Sequence, residues 1–343
     1  MPFAGPLAVL AALAAPPRDS VPQMRVRVDS SRHEVVVLAG PFRVPPSPPD
    51  MDHMMMMDGS DHDMDMNMPL TPVQTFDWPV TGWMHGFKVE LVDGAGRVLP
   101  QRLMHHLIAV NFSRRQFIYP AVERLMGVGE ESDHDVNIPK SIGVPLTPGQ
   151  EIGVYVMWNN QTGAELPAVY YQLTLRWLPR NLLPRPIDAL PIYMDTDLRI
   201  GGSNTFAVPP GRFNKAFEFT PPVSGHLLGV SGHLHDHGVL VRLEDAETGK
   251  VLVTVPARRD SAGKVLGMPR RLLAVRGEGI RLKAGHRYRV VGVYDNTTAD
   301  TLFGVMAHMV GLFAPDDLKR WPAINPADSS YQKDIADLRG KGP

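Results

Sequence analysis

The 33 prolines and 31 glycines of this 343-residue chain, nearly one residue in five, constrain its fold more than any other feature. Proline has no amide hydrogen for a helix interior or a central strand, and glycine weakens both, so the chain must build short elements joined by many corners. Between the breaks lie strand-sized apolar runs: Arg25 to Val28, His33 to Leu38, Gly86 to Val92, His105 to Asn111, Glu151 to Trp158 and Ala168 to Trp177. After the proline-heavy stretch Leu178 to Pro191 a second series begins, with Lys215 to Thr220, Leu227 to His235, Gly238 to Glu244, Val251 to Val255, His286 to Tyr294 and Phe303 to Phe313. The pattern predicts an all-β protein of antiparallel sandwiches.

The chain is too long for one ordinary core and comfortable for two, since domains cluster at roughly 100 to 200 residues. The predicted order is a signal peptide over 1–20, a first β-sandwich over 21–185, a second over 186–320, and a polar tail over 321–343 that wraps or frays around a short helix. The signal peptide rests on the apolar run Leu7 to Ala15, with Ala12-Leu13-Ala14 as its cleavage signature; the run is too short to span a bilayer. A periplasmic or secreted protein is expected, with no membrane span.

Lys plus Arg number 35 and Asp plus Glu 36, and the net charge of -1 offers no basic stripe to nucleic acid. Cysteine is absent, which excludes disulfides, zinc-thiolate sites, iron-sulfur clusters and a cysteine nucleophile. A metal must therefore be held by His, Met, Asp or Glu. The segment Met51 to Met68 carries eight methionines, five aspartates and two histidines. Interleaved aspartates forbid burying it as core. Thioether sulfur prefers Cu(I), while imidazole and carboxylate extend the range to Cu(II), so a copper-capturing loop explains the composition better than a structural role.

The sharpest local motif is Gly232-His233-Leu234-His235-Asp236-His237-Gly238. Residues two apart on a strand share a face, so His233 and His235 can present both imidazoles to one ion. His237 joins them only if the strand continues, and Gly238 predicts a turn instead. A third ligand is offered by the last strand of the second series, where Met306 and His308 share one face and Val305, Ala307 and Met309 the other. Two imidazoles and a thioether are natural for copper and unusual for zinc. In the first sandwich, His105 and His106 are adjacent, so both rings reach one ion only if the backbone bulges or the pair ends a strand. His85, His134, Met84 and Met104 are further donors nearby in sequence.

An adjacent His pair in a first β-domain, an HxH motif with a glycine three residues on in a second, and a late-strand methionine after Tyr294-Asp295-Asn296-Thr297 together resemble the copper type II ascorbate-dependent monooxygenases, the peptidylglycine α-hydroxylating and dopamine β-monooxygenase family. The resemblance spans most of Pro79 to Pro315 and implies a double jelly roll with one copper per domain. It implies that the first copper, on His105 and His106, relays electrons, and that the second, on His233, His235 and Met306, activates oxygen and hydroxylates a C–H bond. Met157 stands where the family's third histidine of the first copper would be, and a thioether there would favour Cu(I) and raise the reduction potential. Ser231 replaces the family's carboxylate-binding arginine, and His308 and Val310 replace its asparagine and tyrosine, so peptide amidation is not expected.

These residues lead to an exported copper-binding protein, with oxygen chemistry at a His2Met site and a small-molecule substrate as the first expectation. The second is a non-catalytic copper carrier or resistance protein that passes the metal to a copper-handling partner. A third, a carbohydrate- or protein-binding sandwich, treats three coincident motifs as accident.

Overall fold

Alternating burial shows how the sequence builds its sheets. Between Glu34 and Val44, Val35, Val37 and Ala39 are fully buried while Val36 and Leu38 keep some exposure, the period of two that sends one face of a strand to a core. The computed structural model describes residues 21–47, 71–129, 132–198, 204–275 and 278–340; the signal segment and Met51 to Met68 lie outside these described residues.

The first series comprises β1 (Gln23–Asp29), β2 (Glu34–Val44), β3 (Gln74–Asp77), β4 (Gly82–Asp93), β5 (Met104–Arg115), β6 (Val122–Gly129), β7 (Asp135–Asn137), β8 (Ile142–Leu146), β9 (Glu151–Trp158), β10 (Leu166–Pro179) and β11 (Ile187–Asp188). One sheet runs β1-β2-β10-β4-β8-β11 with β7 beside β4, and the facing sheet runs β3-β9-β5-β6. The orders β2-β10-β4-β8 and β3-β9-β5-β6 are those of a jelly roll, two Greek keys wrapped into a sandwich. Trp78, Leu91, Leu107, Trp158 and Tyr171 fill the space between them.

The second series is β12 (Leu190–Asp195), β13 (Phe206–Val208), β14 (Gly211–Phe219), β15 (Gly225–Leu234), β16 (Gly238–Asp245), β17 (Val251–Pro256), β18 (Arg258–Arg259), β19 (Val265–Gly267), β20 (Arg271–Leu272), β21 (Ile280–Leu282), β22 (Tyr288–Asn296), β23 (Leu302–Val305) and β24 (Ala307–Pro315). A sheet β12-β24-β15-β20, with β21 beside β15, packs on a sheet β14-β22-β16-β17, which is the jelly-roll order again. Met194, Leu243, Val290, Met309 and Phe313 form its core. The expected strand Phe303 to Phe313 is broken at Met306. Gly304 adopts φ 65°, a left-handed conformation open to glycine that redirects the chain, so β23 pairs with β13 while β24 pairs with β12 and β15.

The two jelly rolls are docked by apolar insertion. The loop between β5 and β6 sends Phe117 into the second core, 4.5 Å from Phe313 and stacked 4.9 Å from Trp321. The Tyr119 hydroxyl accepts from the Asp195 backbone N–H at 2.9 Å, and Ile142, Ala189 and Leu228 bury one another between the halves. The tail wraps. Its helix α1 (Ser329–Gly340) returns to the first jelly roll, where the Asp334 carboxylate accepts from the two terminal Arg124 guanidinium nitrogens at 2.7 and 2.6 Å and from the Val122 N–H at 2.8 Å. Asp334→Ala removes three hydrogen bonds at once and leaves a half-buried guanidinium without its acceptor; urea unfolding is expected to show a loss of about 2 kcal/mol. Among the described residues no helix is long and apolar enough to cross a membrane.

Candidate metal centre

The register of the β15–β24 ladder organises the site. His233 pairs with His308 and Leu234 with Ala307, and the His235 N–H donates to the Met306 carbonyl at 3.4 Å, which carries the ladder one step further. Residues directly opposed in an antiparallel pair point to the same side, as do residues two apart on one strand. His233 and His308 therefore stand on one face, while Leu234, Ala307 and Met309 are buried on the other, and His235 and Met306 lie just beyond the ends of β15 and β24, joined by that backbone bond. The His233 ring lies 5.1 Å from His235 and 5.0 Å from His308, centroid to centroid.

Local sequence fixes this arrangement. β15 ends at Leu234, and the Gly238 N–H closes a turn on the His235 carbonyl at 3.0 Å. A Cβ at Gly238 would lie 2.7 Å from the Leu234 Cβ and 2.9 Å from the His235 carbonyl, so only glycine fits. His237 takes φ 65° in the turn, and its N–H donates to the Gly263 carbonyl at 2.8 Å, away from the other two imidazoles' ladder. Tyr294, fully buried, donates its hydroxyl to the Met306 carbonyl, which fixes the backbone of the methionine where the strand breaks.

In the first jelly roll, the β5–β9 register shifts between Met104, opposite Trp158, and His106, opposite Met157. That irregularity is the bulge an adjacent His pair needs, and the His105 and His106 rings approach to 4.3 Å. Met157 shares the outer face with His106, since Leu107, Ala109 and Val156 point inward. His85 and Met84 belong to β4 in the opposite sheet, where the His85 Nδ1 lies 3.4 Å from the Ile138 carbonyl and Met84 is core. His134 offers its carbonyl to the Val89 N–H at 2.9 Å, on that same sheet, and Met104 is fully buried. Met84 and Met104 thus belong to the core of the first jelly roll.

The docking of the halves brings the two motifs together. His106 lies 5.4 Å from His233, ring to ring, so His105, His106, His233, His235 and His308 form one chain of contacting imidazoles across the interface. The sequence does not foretell this, because it depends on how two sandwiches dock. Among the described residues no three His, Cys, Asp or Glu side chains already stand in an arrangement that could hold a metal ion. An ion would be taken up through side-chain rotation or with the help of a methionine.

Beside the cluster sit two residues that the motifs do not reveal. Across β12–β24, Asp195 opposes His308, and its fully buried carboxylate lies 3.9 Å from the His308 Nδ1. The Tyr193 hydroxyl donates to that carboxylate and lies 3.4 Å from the same Nδ1. Burial pushes the Asp195 carboxyl up, opposed by hydrogen bonds from Tyr193, the Asp197 N–H and Asn204. The only sequence signal was an acid two residues from a tyrosine in an otherwise apolar strand.

No family profile and no curated protein matches this chain. Among solved structures there are loose likenesses to PNGase F, a glycosylasparaginase from Flavobacterium meningosepticum (TM-score 0.38, 8% identity, 85% of this chain and 96% of that one). Two others are a structure of Sulfolobus turreted icosahedral virus (0.39, 11%, 79% and 94%) and the major capsid protein P2 of bacteriophage PM2 (0.35, 8%, 74% and 96%). None of these is a monooxygenase, and at such scores they carry no argument about function.

Proposed function

We propose that this chain is an exported copper-binding protein that holds a copper ion through His233, His235 and Met306, in a periplasmic or secreted setting. The observation that supports the reading is the end of the β15–β24 ladder, where His233 opposes His308 and the His235 N–H reaches the Met306 carbonyl, so that the two imidazoles and the methionine fall in neighbouring positions. That donor set fits copper: imidazole serves both oxidation states, thioether biases toward Cu(I), and zinc sites rarely use methionine. Bound copper would supply one-electron chemistry with oxygen. The chain's own part is to fix the donors, with Tyr294 holding the Met306 backbone and the Gly238 turn limiting the His-x-His strand. On the monooxygenase-like reading, a small substrate without a carboxylate anchor would be oxidised there, since Ser231 and Val310 offer no cation.

A non-catalytic copper carrier is the second reading, favoured by the 5.4 Å approach of His106 to His233. A substrate cannot lie between rings so close, whereas a metal passed from donor to donor needs such contact. On this reading His105, His106 and Met157 are the neighbouring donors of one relay, and Met51 to Met68 would load it. The test is to load the full-length protein with copper, count the tightly held ions, and follow oxygen consumption with ascorbate. Tightly held copper with ascorbate-dependent oxygen uptake supports the oxygenase reading, and tightly held copper without it supports the carrier. Retention of no copper against a competing chelator sinks both.

A further inference from the structure

We infer that His308 is a fourth ligand of this copper, and that Asp195 and Tyr193 are positioning residues that orient its ring. The inference rests on the copper reading above and deepens it. His308 is placed for the role by three strands at once: from β24 it opposes His233 on β15 and Asp195 on β12. Its ring lies 5.0 Å from the His233 ring and is inclined to it by only 24°.

The hydrogen-bond count then fixes which ring nitrogen carries the proton. A tyrosine hydroxyl has one hydrogen to give. Tyr193 gives it to the Asp195 carboxylate, so toward its other neighbours its oxygen can only accept. Those neighbours are the Asn204 amide at 3.3 Å and the His308 Nδ1 at 3.4 Å. Nδ1 must therefore carry the proton, which also suits the Asp195 carboxylate 3.9 Å away. A neutral imidazole protonated at Nδ1 has its lone pair on Nε2. A buried carboxylate and a hydroxyl behind the distal nitrogen of a histidine are the arrangement that metal-binding imidazoles use to fix tautomer and ring orientation. The same groups would add negative character behind the ligand and offset the charge of an ion in front of it.

A buried carboxylate is costly without a cation nearby. The described partners of Asp195 are the Tyr193 hydroxyl, the Asp197 N–H, the Asn204 amide and the His308 ring. All of these are neutral when His308 is neutral, and an ion on His308 would provide the missing positive charge. The fold thus pairs a protected carboxylate with a histidine turned toward the donor cluster.

The experiment titrates one equivalent of Cu(II) into the full-length protein in competition with a chelator, and records the nitrogen hyperfine pattern by electron paramagnetic resonance. It compares wild type with His233→Ala, His308→Ala, His308→Gln and Asp195→Asn, with a thermal melt of each as a folding control. Both His308 variants are expected to lose at least about 10-fold in affinity and to show one nitrogen donor fewer. Asp195→Asn is expected to lower affinity about 10-fold with the nitrogen count unchanged but the hyperfine splitting shifted, a change that a merely structural role would not produce. Wild-type affinity and an unchanged nitrogen pattern in a folded His308 variant, while His233→Ala loses copper, would overturn the inference and leave the copper reading intact. Wild-type binding in His233→Ala as well would overturn both.

Discussion

Replacing His233 with alanine is expected to lower copper affinity by about 100-fold or more while costing the fold on the order of 1 kcal/mol or less. The asymmetry follows from position. The His233 ring touches His106, His235 and His308, and so is shared by three imidazole contacts. Yet it lies on the outer face of its sheet, with Leu234 beside it taking the buried place. Chelator competition reads the first effect and a thermal melt the second. Unchanged copper binding in the folded variant would remove the ladder from the account altogether.

Phe117→Ala is expected to destabilise the protein by about 3 to 5 kcal/mol, the range for a fully buried phenylalanine truncated in a core. Phe117 has no exposed surface, although it belongs to a loop of the first jelly roll and fills the core of the second. Its loss opens a cavity against Phe313 and Trp321 and weakens the docking that sets His106 against His233. Urea unfolding should show either a large drop in midpoint or a split into two transitions as the halves part. A loss below about 1 kcal/mol would mean that the loop does not hold the halves together.

Much of the fold was legible because its signals are local. Period-two burial marks Val35, Val37 and Ala39, and proline and glycine mark the corners, so the strand runs from Glu151 to Trp158 and from Val251 to Val255 coincide with β9 and with most of β17. The approach of the His233 and His235 rings was legible for the same reason. What escaped depends on pairing between distant strands. His308 joins His233 only through the register of β15 with β24, and Asp195 reaches His308 only through β12. Met157 was placed by resemblance alone; its position opposite His106 follows from a register shift that the His-His pair required and could not locate. The contact of His106 with His233 lies one level further off, in the docking of two folded halves through Phe117 and Tyr119. The break at Met306 was missed because Gly304, in a strand-like run, gives no sign that its backbone turns left-handed.

The central claim is that Met306 and the facing histidines hold one copper ion, and X-ray absorption on the protein loaded with one equivalent of Cu(I) tests it most directly. A mixed nitrogen and sulfur coordination shell is expected in the wild type, with the sulfur contribution lost or sharply reduced in Met306→Leu, a change that preserves volume and apolarity. A sulfur contribution that survives Met306→Leu undiminished, or a shell with no sulfur in the wild type, would contradict it.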